Sequence, residues 1–545
     1  MSEQAGRVRA NSRIRFQHPV AFWIGAVCCT AGVLLHLPMY HDARSMGYKM
    51  SGMTPDASMI IGMVLILGGL VTAVYGLVPS RASEIGRQAA GIRVRALDDA
   101  PIRGRHIALL LVMALAVTID AMKPITLSFV APGVAHEYGL RPSNPHGSLP
   151  VAWLPFCGIA GTVVGSWIWG SLGDRIGRRP SILLAGLLFT TTSICGAMPG
   201  FSWNLFMCFM MGIGVGGLFP VGFTLLAETI PARHRGWLMV LIGGNTALAY
   251  IATSWLAATL TPTYSWRILW LIGLPTGLLL IALNQWVPES PRFLLARGER
   301  AAAEDIMAYY GAAEVVASAG EPDPAASDES RHGVIDLLRR PLGGPTLAIT
   351  VLAIGVGLVT YGFQQWIPTN LQKLGYSAVA SDYVVRNAAV IGLPFTVLLA
   401  WMYGFWGSRR TIMAASVVTA AALVAFAAEG SSLAHQRTLL SLLLVVPLSA
   451  VGTIAAVVAG YAAEVYPTTI RSRGTGWAAG MTKAGGILIL AVAVSAKTVP
   501  SIPFTAVIGI VPLLLAALCF LFIGPETRQR PLEEISRLEA EPEAA

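Results

Sequence analysis

The run LLLVMALAVTIDAMKPITLSFVAPG, near residues 107–131, places Asp120 and Lys123 inside an otherwise apolar stretch long enough to cross a bilayer. An unpartnered charge at that depth costs roughly 3 kcal/mol or more, so each group is a functional candidate by default. Spacing i, i+3 puts both on one helix face. They could satisfy each other as a static ion pair, or work together in proton exchange. Other polar groups lie in comparable runs. Lys483 sits in TGWAAGMTKAGGILIL beside two glycines that allow close approach. Arg386 and Asn387 lie in the first turns of the run near 383–405, Asn245 in that near 237–260, and Tyr361, Gln364 and Gln365 in that near 346–368. Cations lining a cavity favour an anionic solute, such as a small carboxylate or aromatic acid. For Asn245, Tyr361 and Gln364, helix–helix hydrogen bonding explains the residue as well as solute contact does. For Lys483 the competing reading is structural pairing.

These groups need a scaffold that crosses a membrane, and the composition supplies one. The chain has 545 residues, 54% hydrophobic and 12% charged, where a soluble domain carries about 25% charged residues. Two apolar runs come first, near 19–38 and 57–78. Twelve follow, near 107–131, 150–169, 181–199, 203–227, 237–260, 267–287, 346–368, 383–405, 411–429, 437–463, 475–497 and 503–523. Each can span as a helix. The first reads as a retained span, because it is long, lacks a clear cleavage site and is followed by another. The expected class is an all-α polytopic membrane protein.

Lysines and arginines alternate between gaps. Rich gaps hold Arg81 to Arg105, Arg175 with Arg178 and Arg179, Arg233 with Arg235, the loop at 288–345, Arg409 with Arg410, and Arg471 with Arg473. The bias of positive charge toward the cytoplasm then puts both termini inside, in a plasma membrane or a bacterial inner membrane. The net charge of +9 is an orientation signal on this reading, and no basic stripe with interleaved aromatics suggests nucleic acid. The six cysteines lie in apolar runs and read as small buried hydrophobes. His36, His41 and Asp42 read as ordinary interfacial residues, so no metal and no cofactor are expected. No nucleophile elbow or phosphate-cradling GxxxxGK[ST] is present, which argues against an enzyme and against ATP drive.

The two sides of the 288–345 loop echo each other. AETIPARHRG holds Glu228 and AEVYPTTIRSRG holds Glu464, an offset of 236; VPESPR holds Glu289 and GPETRQ holds Glu526, an offset of 237. GSLGDRIGRRP, Gly170 to Pro180, has a weaker echo in YGFWGSRRT, where Gly407, Arg409 and Arg410 stand like Gly177 and the pair Arg178 and Arg179. Such repeats imply two pseudo-symmetric six-helix bundles rocking about a central site. The expected divisions are a two-helix extension at 1–106, a bundle at 107–287, a loop at 288–345, a second bundle at 346–524 and a tail at 525–545. The loop's centre, SAGEPDPAASDES, reads as a flexible linker, and GERAAAEDIMAYYG as a short amphipathic helix.

GSLGDRIGRR closely resembles the signature between the second and third helices of the major facilitator superfamily. VPESPR, SWRILW, AEVYPTTIRSRG and the terminal PET are similar to the sugar-porter branch and its organic-ion and niacin-carrier relatives. The resemblance covers about residues 107–530 and leaves the first hundred residues out. It implies a carrier of a small organic solute working by alternating access and coupled to protons, with no partner required beyond the lipid bilayer and a monomer expected. It also implies that Gly170, Asp174, Arg175, Gly177 and Arg178 form a cytoplasmic latch, extended by Glu228, Arg235, Glu289 and Arg292, with Glu464, Arg471 and Arg473 in the second half. Asp120 resembles in position the carboxylate of proton-coupled relatives, and is expected to take up and release a proton. One departure is plain: Cys208 stands where relatives carry an arginine, four residues before Gly212-Ile-Gly214-Val-Gly216, which leaves Lys123 as the available cation and uniport or another coupling ion as alternatives. Sugar is the weaker solute class, since Gly355 and Val356 stand where sugar porters carry a glutamine pair. A drug carrier or a non-transporting nutrient sensor are the remaining alternatives.

Overall fold

The computed structural model describes residues 16–79, 100–141, 149–312, 342–429, 436–466, 471–497 and 499–527, with a few isolated positions between them. Among the described residues fourteen main helices follow one another. They are α1 (Pro19–Leu34), α2 (Ala57–Leu77), α3 (Gly104–Glu137), α4 (Trp153–Ile176), α5 (Arg178–Thr191), α6 (Phe201–Thr229) and α7 (Arg233–Tyr264). Then come α8 (Ile268–Trp286), α9 (Gly343–Lys373), α10 (Ala378–Phe405), α11 (Ser408–Glu429), α12 (Arg437–Val465), α13 (Arg471–Ser495) and α14 (Ile502–Ile523). Thirteen spans among the described residues are long and apolar enough to cross a membrane, and the apolar part of α4, Trp153–Ser166, is a shorter one. Each of the fourteen apolar runs is therefore a helix, and the all-α membrane class is observed. Starts carry the expected caps: Asp56 accepts from the Met59 amide, Ser377 from Ala380 and Ser501 from Phe504.

The chain forms two compact units, one of Met1–Pro124, Ala160–Arg235 and Leu260–Ser327, the other of Ile125–Ile159, Gly236–Thr259 and Asp328–Ala545. In the first unit, α1 and α2 make an antiparallel hairpin built on glycine. Gly25 and Gly32 on α1 face Gly69 and Gly62 on α2, and Gly76 faces Phe22, so the facing numbers fall on one helix as they rise on the other. The glycines recur every seven residues, which keeps them on one seam. A Cβ at any of them would meet the backbone or the side chain of the opposite helix. Close backbone approach of this kind is how helices associate in lipid, where the hydrophobic effect gives no drive.

The hairpin packs on α5, and every residue of α5 is buried. At the turn between α1 and α2, Val33, Met39, Tyr40, Tyr48 and Met59 join Ile194, Met198 and Leu271 in one apolar cluster. The Tyr40 hydroxyl donates to the Tyr264 carbonyl at 2.6 Å. Arg267, fully buried, donates to the carbonyls of Gly196 and Met198 at 3.2 and 2.8 Å. Toward the other end of α3, the amphipathic helix Arg300–Tyr310 forms as expected and buries Ala303, Ile306, Met307 and Tyr310. Arg105 at the start of α3 donates to the Tyr309 carbonyl at 2.8 Å and lies 4.0 Å from the Tyr309 ring centre. Burial pushes the Tyr310 hydroxyl above its ordinary range. The acidic linker sequence falls outside the described residues.

In the second unit the main irregularity is α9. It runs as α-helix over Gly343–Leu358, widens to a π turn at Val359–Phe363, tightens to a 3₁₀ turn at Gln364–Trp366 and resumes at Ile367–Lys373. Such breaks are tolerated at membrane depth where protein or a polar cavity takes up the freed backbone groups.

Gly68 and Gly69 separate the seam from its surroundings. A Cβ at Gly69 meets Cys29 and the Gly25 carbonyl, while one at Gly68 meets nothing within 4 Å. Gly69→Ile is expected to destabilise by about 1–3 kcal/mol, and Gly68→Ile by less than about 0.5 kcal/mol. Thermal unfolding of the purified variants measures both.

Candidate functional site

The repeated motifs meet at the start of the third helix of each repeat. Gly177 ends α4 at φ +102°, a conformation that favours glycine. A Cβ there would run into the Glu289 carboxylate. Glu289 Oε1 accepts from the Arg178 amide at 2.8 Å and the Ser290 amide at 2.9 Å. It thus occupies the positive end of α5, satisfying a donor that the helix leaves unpaired. The second repeat does the same. Gly407 sits at φ +128° against Glu526, and Glu526 Oε1 accepts from the Ser408 amide at 2.8 Å and the Ser408 hydroxyl at 2.7 Å.

This shared geometry sets Gly407 at the place of Gly177, as the weaker echo has it, and shifts only the arginine pair by one. Gly407 matches Gly177, so Ser408, not Arg409, stands where Arg178 stands. Arg409 instead matches Arg179. Arg179 donates to the carbonyls of Asn284 and Gln285 at 3.1 and 3.4 Å, and Arg409 donates to the Leu521 carbonyl. The offset of 237 that relates Glu289 to Glu526 also relates Asn284 to Leu521. The displacement arises because Ser408 follows Gly407, where Arg178 follows Gly177 directly.

The consequence is an asymmetric pair of sites. In the first repeat Arg178, almost wholly buried, reaches Glu228 at 3.3 Å and donates to the Gly173 carbonyl at 2.6 Å. In the second, Glu464 accepts from the hydroxyls of Tyr403 at 2.8 Å and Thr527 at 2.6 Å. The Thr527 amide donates to the Ser408 hydroxyl at 3.1 Å, completing a chain from Glu464 to Glu526. Arg235 donates to the Ile230 carbonyl at 3.1 Å, Arg175 is exposed and Arg292 half-buried. The helical positions of Gly170, Asp174, Arg471 and Arg473 are described, but their side chains lie outside the described residues.

Inside the membrane, Asp120 and Lys123 are both buried. Lys123 Nζ lies 4.6 Å from the Phe189 ring centre and 5.8 Å from that of Trp270, and it has no hydrogen-bond partner among the described residues. The static Asp120–Lys123 ion pair is therefore not formed. Lys123 also presses on Gly273, where a Cβ would collide with its ammonium group. Cys208 is fully buried.

In the second unit, Tyr361 lies in the π turn of α9 with its ring against Gly486 of α13. Gln364 donates to the Pro447 carbonyl at 2.6 Å, tying α9 to α12. Asn245 falls in a two-residue break of α7 and is half-buried. Arg386 donates to Asn387 Oδ1 at 2.8 Å and lies 4.5 Å from the Tyr383 ring centre. Lys483 is half-buried on α13.

Several groups were not singled out in the sequence. Trp366 Nε1, in the 3₁₀ turn of α9, and Thr369 Oγ1, just after it, are buried without hydrogen-bond partners among the described residues, as is Nε2 of Gln365, which the sequence does single out. Asp382, buried on α10, precedes Arg386 by four residues. That spacing was a readable signal, obscured because the apolar run begins one residue later. Thr527 lies in the quoted PET motif without having been assigned a role, and Tyr403 carries no motif of its own and is found only through Glu464.

Glu289 gives a pH prediction. Burial pushes its carboxyl up to about 7, against the pull of the Ser290 and Arg178 amides and the Arg178 guanidinium. An acid raised in the folded state contributes most below its unfolded value of 4.5 and loses that contribution as pH rises toward about 7. The contribution amounts to at most about 3 kcal/mol. Thermal unfolding between pH 4.5 and 8 is expected to show this loss in the wild type and a flatter profile in Glu289→Gln.

The family profile "Sugar (and other) transporter" matches residues 130–538. The niacin transporter NiaP of Acinetobacter baylyi is 27% identical over 453 residues, covering 81% of this chain and 99% of that protein. The 4-hydroxybenzoate transporter PcaK of Pseudomonas putida is 27% identical, with coverage of 72% and 86%. The inner membrane metabolite transport protein YgcS of Escherichia coli is 30% identical, with coverage of 69% and 82%. Among solved structures, the proton:xylose symporter XylE superposes with a TM-score of 0.65 at 21% identity, over 80% of this chain and 99% of that one, a likeness of fold. With its helices, its repeated glutamate caps and these matches, the chain belongs to the sugar (and other) transporter family within the major facilitator superfamily, as a multi-pass membrane transporter of small organic solutes rather than an enzyme.

Proposed function

We propose that the protein is a proton-coupled symporter for a small organic acid anion, best an aromatic acid, and that Asp120 and Lys123 carry the coupling. The observation behind this reading is the buried ammonium of Lys123, without a hydrogen-bond partner among the described residues, one helical turn from the buried Asp120. A buried ammonium without a counter-anion is costly. It becomes tolerable if it gives up its proton or if negative charge reaches its surroundings, and both events couple charge to transport. The relatives named for niacin and 4-hydroxybenzoate support an aromatic carboxylate as cargo. The broken α9, with Tyr361 and the orphaned donors Gln365 and Trp366 near it, supports a solute contact region in the second unit. Asn245, Gln364, Arg386, Asn387 and Lys483 remain candidates for it, with Gln364 also serving the α9–α12 contact.

On this reading the arginine-rich ends face the cytoplasm, with both termini inside a plasma or bacterial inner membrane, and the carrier acts as a monomer. Glu228, Glu289, Glu464 and their partners act as the latch of alternating access. It is ionic in the first repeat, where Arg178 meets Glu228, and hydroxyl-based in the second, where Tyr403 and Thr527 meet Glu464.

Uptake into proteoliposomes under an imposed pH gradient tests the proposal, with nicotinate, 4-hydroxybenzoate, aliphatic acids, sugars and a cationic drug as solutes. The expected result is acid-driven uptake of one aromatic acid, reduced at least about tenfold in Asp120→Asn and in Lys123→Gln, in line with loss of a buried charge-coupled group. Uptake that ignores the gradient and survives both substitutions contradicts it.

A further inference from the structure

The α1–α2 hairpin carries a feature that the transport reading leaves unused. Six of the chain's 18 methionines fall at 39, 46, 50, 53, 59 and 63. Met39, Met50 and Met59 are buried in the cluster at the hairpin turn, where Met198 is also buried and Met53, Met63 and Met207 pack against it. His36, with no exposed surface, stands where α1 ends. Its ring lies on Gly62, where a Cβ would come within 2.7 Å of Cε1. Met39 follows His36 by one turn and Met59 precedes Gly62, which the ring touches, by one turn, and the two methionines share one buried cluster.

The hydrogen bonding of His36 fixes what it can do. Its Nδ1 lies 2.7 Å from the Gly32 carbonyl. A carbonyl only accepts, so Nδ1 carries the proton and Nε2 presents a bare lone pair. That nitrogen is buried and has no hydrogen-bond partner. A metal-ligating histidine characteristically donates its other ring N–H to a backbone carbonyl, as here. No group of three or more His, Cys, Asp or Glu that could hold a metal comes together among the described residues, and His41 and Asp42 are exposed. Hard and borderline cations therefore lack a ligand set, whereas thioethers with one imidazole suit monovalent copper.

We propose that His36 Nε2, with the thioethers of Met39 and Met59, binds one Cu(I) ion at the hairpin turn, joining the end of α1 to the start of α2. Methionine also fills irregular apolar space without binding anything, and the test separates the two roles. Purified full-length protein is titrated with Cu(I) against bicinchoninate, and the copper X-ray absorption edge is recorded. The expected result is one equivalent bound, with one nitrogen and two sulfur neighbours. His36→Gln and the volume-conserving pair Met39→Leu/Met59→Leu should each weaken binding at least tenfold, while Met46→Leu, at an exposed position, leaves it unchanged. Melting temperatures without copper show whether each variant is folded, and the methionine pair decides the matter if His36→Gln is not. Failure to compete with the chelator, or equal affinity in the folded variants, overturns the proposal.

Discussion

A carboxylate closing a helix N-terminus is the constraint around which each repeat is arranged at its arginine-rich end. Three successive demands meet there. The chain must turn sharply between two spanning helices, which Gly177 and Gly407 do at positive φ. The following helix exposes amides that lipid cannot satisfy. An acceptor must then come from elsewhere, and Glu289 and Glu526 arrive from just beyond the last helix of their own repeats. The cap thus fixes the third helix to the end of the sixth, and the guanidinium of Arg179 or Arg409, bonded to a carbonyl near that same end, secures the contact a second time.

With that frame common to both repeats, the neighbouring position is free to differ. Arg178 makes the first glutamate on the fourth helix of its repeat part of an ion pair. Ser408 cannot reach so far, and the hydroxyls of Thr527 and Tyr403 take over at Glu464. A guanidinium and a hydroxyl chain differ in how they respond to salt and to proton supply. The two repeats therefore need not release their contacts under the same conditions.

Much of this was legible in the sequence. Length and apolarity alone located the fourteen helices, because a spanning segment must satisfy its backbone internally and be greasy outside. The offsets between Glu228 and Glu464 and between Glu289 and Glu526 announced the repeat. The match of Gly407 to Gly177 was legible too, but the arginine pair fell one residue off because Ser408 intervenes. The partnerless state of Lys123 was not legible either: spacing puts it on the face of Asp120, but the rotamer turns its ammonium toward Phe189 and Trp270. The glycine seam of the hairpin and the irregular turns of α9 depend on which elements pack together, and a single chain's pattern does not state that.

The most direct test of the capping account is amide hydrogen exchange at Arg178 and Ser408, comparing the wild type with Glu289→Ala and Glu526→Ala. If the carboxylates hold these helix starts, exchange at Arg178 accelerates in the first variant only and exchange at Ser408 in the second only. Protection that survives removal of its own glutamate would contradict the account.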